Sequence, residues 1–501
     1  MGDLSAIDLA VLAATLLVAA GAGLWLGRRA GSAQAYLSGE RDLPWGALLL
    51  SIVATETSSV TFLSVPGEAW AGDLRFLQLP LGYVVGRIAV ARWLLPLYFA
   101  GDALTAYEVL GRRFGPAVKK ATSGLFLLMR TLGDGVRLWL TAVPLQLLSG
   151  WSLPTSIAVM AGVTVAYCWF GGVRAVVWTD VVQFVIYVAG GLLALCVAAG
   201  DVGWGEVLAR AHAAGKLRVV DFGDSPLAAL TDANLLLAGL IGGAFLTLAT
   251  HGTDQMMVQR YLAARSLPDA RRALVVSGFV VLVQFALFLV LGLALFAWLQ
   301  DHPADRVLKG DQVFPWFIQH RMARLPGAVG LLLGAVFAVS MSTLSSSLSA
   351  SASTLVHDWI RPALGPRLDE RGALRLARGA TLTFALLQAA VALLADRLES
   401  NALRTVLQIA SFTSGLVLGL FFLARACGPL PVGQPPPEHE RRAALLAFVI
   451  ALLAMTAIWK WTPLAWPWYA LLGAGITVGV GWVARGGEKR RGTPSIERDT
   501  R

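Results

Sequence analysis

The sequence predicts an all-α polytopic membrane protein of about thirteen spanning helices, and three observations predict it. The first is composition: of 501 residues 56% are apolar and only 14% charged, with a mean hydropathy of +0.66. A soluble chain of this length needs more charge to cover its surface. The second is the recurrence of apolar runs near 20 residues, the length that carries a helix across a bilayer. They are long and continuous rather than short and alternating, which argues helices over barrel strands. The third is the placement of basic residues. With the N-terminus outside, the inner loops and C-terminal tail with their adjoining helix ends hold 26 of the 41 Lys and Arg, the outer loops with theirs 11 and the rest of the spans 4. That bias is the positive-inside pattern and sets the C-terminus in the cytoplasm.

In chain order the runs lie at about 5–26, 45–66, 76–100, 121–149, 153–170, 175–199, 233–252, 272–299, 326–356, 373–395, 402–426, 442–460 and 465–484. The first lacks a basic leading region and a cleavage site, so it reads as a retained helix, with residues 1–44 making a leading span and inner loop. The outer loops at about 200–232 and 300–325 are too short to fold alone. A Pro-rich linker at 427–441 precedes two trailing helices at 442–484 and a solvated, mobile cytoplasmic tail at 485–501. Inner basic clusters such as "GRRFGPAVKK" account for the net charge of +10 without nucleic acid. Cys168, Cys196 and Cys427 lie in or beside apolar runs and have no metal or disulfide spacing.

Polar residues at bilayer depth cost several kcal/mol unless they face partners, water or solute. Four passages break the apolar pattern. The second run, "LLLSIVATETSSVTFLSVPGEAW", carries Glu56, many hydroxyls and Pro66-Gly67; such a helix can unwind so that freed carbonyls coordinate an ion. Arg130, Asp134 and Arg137 share one helical face at i, i+4, i+7. Asp180 and Gln183 open the sixth run. In the ninth, "AVSMSTLSSSLSASAST" holds ten hydroxyls at 338–354, with Ser342, Ser345, Ser346, Ser349 and Ser353 on one stripe. Hydroxyl and carbonyl oxygens are hard ligands that suit Na⁺. Serines also let membrane helices pack closely and back-bond to their own turn.

Three passages resemble the sodium:solute symporter family, the group of the sodium–glucose, sodium–monocarboxylate, sodium–iodide and sialic acid transporters: "YCWFGGVRAVVWTDVVQFVIYVAGG", "HGTDQMMVQRYLAARS" and the long passage from "DQVFPWFIQH" through the serine run. The likeness spans about residues 40–430. It implies a core of two inverted five-helix repeats, here about 45–199 and 233–426, with a broken helix opening each half. It implies a sodium-coupled symporter rather than an enzyme, with Na⁺ as coupling ion and no organic cofactor. It implies a multi-pass protein of the cell (inner) membrane, whose partners are a small solute, Na⁺ and the bilayer.

The resemblance also implies site residues. The principal sodium site would use the carbonyls of Ala54, Thr57 and Val339 and the hydroxyls of Ser342 and Thr343. A second would use Asp180, Ser345 and Ser346. Solute-binding positions include Thr61, Gln78, Tyr83, Thr247 and His251. Sugar transporters of the family carry Gln or His where Thr61 aligns and an aromatic gate near Thr250, so a sugar fits less well. The Arg130–Asp134–Arg137 set sums to +1 and leaves a guanidinium for a carboxylate, which makes Arg130 and Arg137 further solute candidates and an organic anion such as a monocarboxylate the expected cargo. Equally, the three charges could be a closed structural cluster. Glu56 is expected to face the bundle. A sodium–sugar symporter is the alternative, and a transporter-like sensor a weaker one, since no signalling module follows residue 485. A hydrolase would need a nucleophile with a positioned base, and none accompanies His251.

Overall fold

The computed structural model describes residues 4–27, 31–101, 103–225, 227–365, 368–397, 400–428, 430 and 434–491. About 83% of it is helix, and among the described residues the only β-type pairing is an isolated bridge between Leu43 and Ala264. In chain order the helices are α1 Ala6–Gly27, α2 Ala33–Ser38, α3 Trp45–Glu56, α4 Ser59–Ala71, α5 Gln78–Ala89, α6 Leu95–Phe99, α7 Ala106–Phe114, α8 Pro116–Ser149, α9 Leu153–Val202, α10 Trp204–Ala213 and α11 Ala228–Thr231. They continue as α12 Gly243–Thr253, α13 Gln255–Leu262, α14 Leu267–Asp301, α15 Gly310–His320, α16 Ala328–Thr354, α17 Arg361–Leu364, α18 Glu370–Ala395, α19 Ser400–Ala426, α20 Glu438–Trp461 and α21 Tyr469–Arg491. Of these, six described segments are long and apolar enough to cross a membrane on their own, or seven if the bent α3–α4 pair is one span. The expected mobile tail is helical as far as Arg491, and its remainder, 492–501, lies outside the described residues, as do positions 429 and 431–433 of the linker.

The serine-rich helix is the centre of the bundle. Its most apolar window is 94% buried, against 17% for α1 and 33% for α20. Hydroxyls facing hydrocarbon would be costly, so the element richest in them goes inside. There α16 packs mainly on α9 and α1. Small residues allow the close approach: a side chain at Gly330 would run into the Asp8 backbone, and one at Gly334 into Thr15.

Two interruptions shape the site. The α3 and α4 axes, taken over Trp45–Glu56 and Thr61–Ala71, differ by 63°. Thr57 closes α3, and the Ser58 hydroxyl caps α4 by accepting the Thr61 N–H at 3.2 Å. Within α9 the chain turns at Gly172, with φ +55° and ψ −150°, so the two expected spans at 153–170 and 175–199 meet there. A Cβ at Gly172 would also press against the Tyr36 carbonyl. Gly172→Ala is therefore expected to lower the melting midpoint of the purified protein, by roughly 1–3 kcal/mol in stability. A midpoint equal to wild type would show that this turn carries no strain for a side chain.

Candidate functional site

Where the α3–α4 break meets α16, the expected principal ion ligands come together. Ala54 and Ser342 are fully buried and Thr343 nearly so. The Thr343 hydroxyl donates to the Val339 carbonyl at 3.3 Å and lies 3.5 Å from the Thr55 carbonyl. Ser342 donates to Asp180 Oδ1 at 2.6 Å. Both hydroxyls thus spend their hydrogens on neighbours and keep lone pairs for a cation. The Thr57 hydroxyl donates to the Val53 carbonyl, and Gln284 donates to Thr57, pinning the end of α3. Among the described residues no group of three His, Cys, Asp or Glu could hold a metal. Hydroxyl and carbonyl oxygens are hard ligands that suit an alkali cation.

The second expected set is arranged differently. Asp180 is fully buried and accepts from Ser51 at 2.5 Å and from Ser342, but also from the Arg260 guanidinium at 2.9 Å. The same guanidinium donates to Ser51, Thr55 and Ser346. Ser345 and Ser346 donate to the Ser342 carbonyl at 3.1 and 2.6 Å. The carboxylate of Asp180 thus faces a side-chain guanidinium as well as hydroxyls. Arg260 stands in "VQRY" as a motif residue; nothing in its spacing says which carboxylate it meets.

Adjoining the break is a cavity of about 550 Å³. Its walls include Thr55, Glu56 and Ser58 at the break, Tyr83 from α5, Arg130 and Arg137 from α8, Thr247 and His251 from α12, Thr343 from α16, and Trp466. Tyr83, Thr247, His251, Arg130 and Arg137 thus reach one space.

Two candidates do not. Thr61 sits beyond the break, bonded to Ser58. Gln78 is buried with its amide fully used: it donates to the Arg75 and Asn234 carbonyls at 3.2 and 2.7 Å and accepts the Asp221 N–H at 3.1 Å. It clamps the loop after α10 rather than facing the cavity. In that loop the Gly223 N–H, with Arg75 and Arg218, holds the Asp221 carboxyl below its usual range. Nearby Lys216 donates to the Trp70 and Gly72 carbonyls at 2.6 and 2.8 Å, capping α4 with positive charge.

The charged face of α8 needs one correction. Arg137 pairs with Asp134, and Arg130 lies 3.6 Å from it, as the spacing predicts. Arg130 also pairs with Asp254, the N-cap of α13. The set is then two Arg and two Asp, and its net charge is zero rather than +1. Asp254 comes from a passage far along the chain, so a count over one helix face could not include it. Arg137 remains about one-third exposed on the cavity wall. Glu56 does face the bundle: it pairs with the fully buried Arg87 and lies 3.6 Å from His251, which also bonds Tyr261 at 2.9 Å. It borders the cavity as well.

Comparison with known proteins bears on this arrangement. The sequence model of the sodium:solute symporter family matches residues 36–427. Sodium-coupled monocarboxylate transporter 2 of Mus musculus is 27% identical over 84% of this chain and 68% of its own length. The sodium/iodide cotransporter of Homo sapiens is 30% identical over 83% of this chain and 65% of its own, so the chain spans about two thirds of each. Among solved structures, a substrate-bound, outward-open Na⁺-coupled sialic acid symporter superposes with a TM-score of 0.85 at 23% identity, covering 97% of this chain and 98% of its own. Mhp1, a nucleobase-cation-symport-1 family transporter, gives 0.57 at 13% identity over 91% and 95%.

Proposed function

The chain belongs to the sodium:solute symporter family, and from that premise we propose that it is a sodium-coupled symporter importing a small organic anion such as a monocarboxylate. Its relatives are transporters, not enzymes, and it is a multi-pass membrane protein. The proposal adds thirteen crossings, inverted repeats at about 45–199 and 233–426, the inner cell membrane as location, and the N-terminus outside. It also takes Ala54, Thr57, Val339, Ser342 and Thr343 as the principal sodium ligands.

The observation that carries the cargo class is Arg137. Its guanidinium is partly exposed on the cavity wall, while its ion pair with Asp134 runs through a single terminal nitrogen. Guanidinium has five donors in a planar fork that matches a carboxylate. The two relatives and the sialic acid symporter described above are named for monocarboxylate, iodide and sialic acid, which are anions at neutral pH. The neutral four-charge set moderates the attraction: an incoming anion competes with Asp134 rather than meeting a bare cation.

Coupling follows from linkage. Sodium at the break and solute in the adjoining cavity each favour the conformation that binds the other. Sodium moving inward adds about 2.3 kcal/mol per charge per 100 mV. The test is uptake into proteoliposomes under an imposed sodium gradient, with radiolabelled lactate, pyruvate, iodide, sialic acid and glucose offered in turn. Sodium-driven uptake of an anion is the expected result, and sodium-driven glucose uptake alone would return the sugar reading. Binding without uptake would make the protein a sensor. For the anion that is carried, Arg137→Gln is expected to raise the half-saturation constant about 10–150-fold, the loss of a charge-assisted bond of roughly 1.5–3 kcal/mol. Equal loss for a neutral analogue, with a lowered melting midpoint, would assign Arg137 to structure.

A further inference from the structure

Beside the cavity lies a second, much smaller chamber of about 20 Å³, where α8, α16 and the α3–α4 break meet. That is room for one particle the size of a water. Its polar walls are Ser58, Asp134, Arg137, Thr141, Ser340 and Thr343. Asp134 is 3% exposed. Its Oδ1 takes Arg137 and, at 3.6 Å, Arg130, whereas Oδ2 is buried with no hydrogen-bond partner. The Ser340 hydroxyl, on a residue 8% exposed, is likewise buried and without a partner. A carboxylate oxygen and a hydroxyl left so in a bundle interior are costly unless something meets them.

The chemistry of the walls says what that is. Thr141 donates its hydrogen to the Arg137 carbonyl at 2.9 Å, and Thr343 donates to Val339. Ser58 accepts the Thr61 N–H. The two threonine oxygens turn lone pairs, not hydrogens, toward further partners. A water has two hydrogens for a carboxylate oxygen and several hydroxyl lone pairs; a cation satisfies all of them. Every potential ligand is a hard oxygen, with no sulfur or imidazole, and there is one carboxylate, which suits a monovalent ion better than a divalent one. The surrounding ion pairs, Arg130 with Asp254 and Arg137 with Asp134, sum to zero, so an added cation leaves +1 beside the cavity that Arg137 also lines. An anion there would balance it.

We propose that this chamber is a sodium site, additional to the one at Ser342 and Thr343 and to the Asp180 set, whose carboxylate already faces Arg260. The proposal rests on the reading of the chain as sodium-binding. It joins the two halves of the cycle physically: Thr343 borders the ion site at the break, and Arg137 borders the cargo cavity.

Sodium alone tests it. The melting temperature of the purified full chain is followed against NaCl, with choline chloride holding ionic strength, and the number of ions is read from the steepness of stabilisation. Wild type is expected to show a Hill slope above one. Ser340→Val, which fills the chamber with methyl groups, is expected to bring it to one, and Ser340→Thr, which keeps a hydroxyl, to preserve it. If Ser340→Val shifts the whole curve but not its slope, the residue is structural and the proposal is overturned. A wild-type slope of one, unchanged in Ser340→Val, assigns the chamber to water and overturns it. So does a slope that falls in Ser345→Ala but not in Ser340→Val, which places the second ion by Asp180. No sodium-specific stabilisation at all would remove the sodium reading itself.

Discussion

Replacing Asp180 by Asn is expected to destabilise the fold by about 3–5 kcal/mol, because it strands the Arg260 guanidinium in the bundle interior. Both partners are buried, Asp180 fully and Arg260 to within 2% exposure. The guanidinium has other acceptors, Ser51, Thr55, Ser346 and the Met256 carbonyl, but none of them carries charge. Arg260→Gln is expected to do comparable damage from the other side, by leaving the carboxylate alone. The double variant removes both charges and is expected to recover most of the loss. A melting series of the three variants in detergent checks this. If the single variants melt with wild type, or the double loses the sum of both, the pair does not hold the fold. Sodium titration of Asp180→Asn adds a second reading. Asn keeps a carbonyl that can accept from Ser342, so the slope of sodium stabilisation is expected to persist. A lowered slope would put an ion at Asp180.

The double change Ser342→Ala with Thr343→Ala is expected to weaken sodium dependence at least about 100-fold. Each hydroxyl removed takes a ligand worth roughly 1.5–3 kcal/mol to a charge, judged from charge-assisted hydrogen bonds. Folding is expected to suffer much less, since Ala fits a close-packed interior helix and both hydroxyls bond chiefly to groups that have other partners. The measurement is the sodium concentration for half-maximal uptake, alongside sodium-dependent melting. Unchanged sodium affinity in this variant would withdraw the principal site from the break.

Much of the molecule is legible in its residues alone. The hydroxyl run at 340–354 reads as a helix facing inward, because serine is costly in hydrocarbon wherever it lies along the chain. Polar residues and Pro66 predict the unwinding of the second apolar run, and the break falls at Thr57–Ser58, well ahead of that proline. Ser58 explains the offset. Its side chain caps α4, whereas Pro66 is accommodated inside that helix. The α8 charges read as neighbours, and they are, since helical spacing alone brings residues 130, 134 and 137 together.

Other features have no local signature. Gln78 has the place of a solute residue and is instead the clamp of a loop 143 positions away. Arg130 is spare on its own helix face, and Asp254, 124 positions on, closes the pair. Arg260 reaches Asp180 across 80 positions and sets a guanidinium against it. In each case the sequence by itself determined that a polar group had to be satisfied inside the membrane, because that cost depends only on the group and its depth. Which partner satisfies it was decided by the tertiary structure alone. Coulomb and hydrogen-bond energies depend on separation in space, and packing α8, α9, α13 and α16 together sets those separations without regard to distance along the chain.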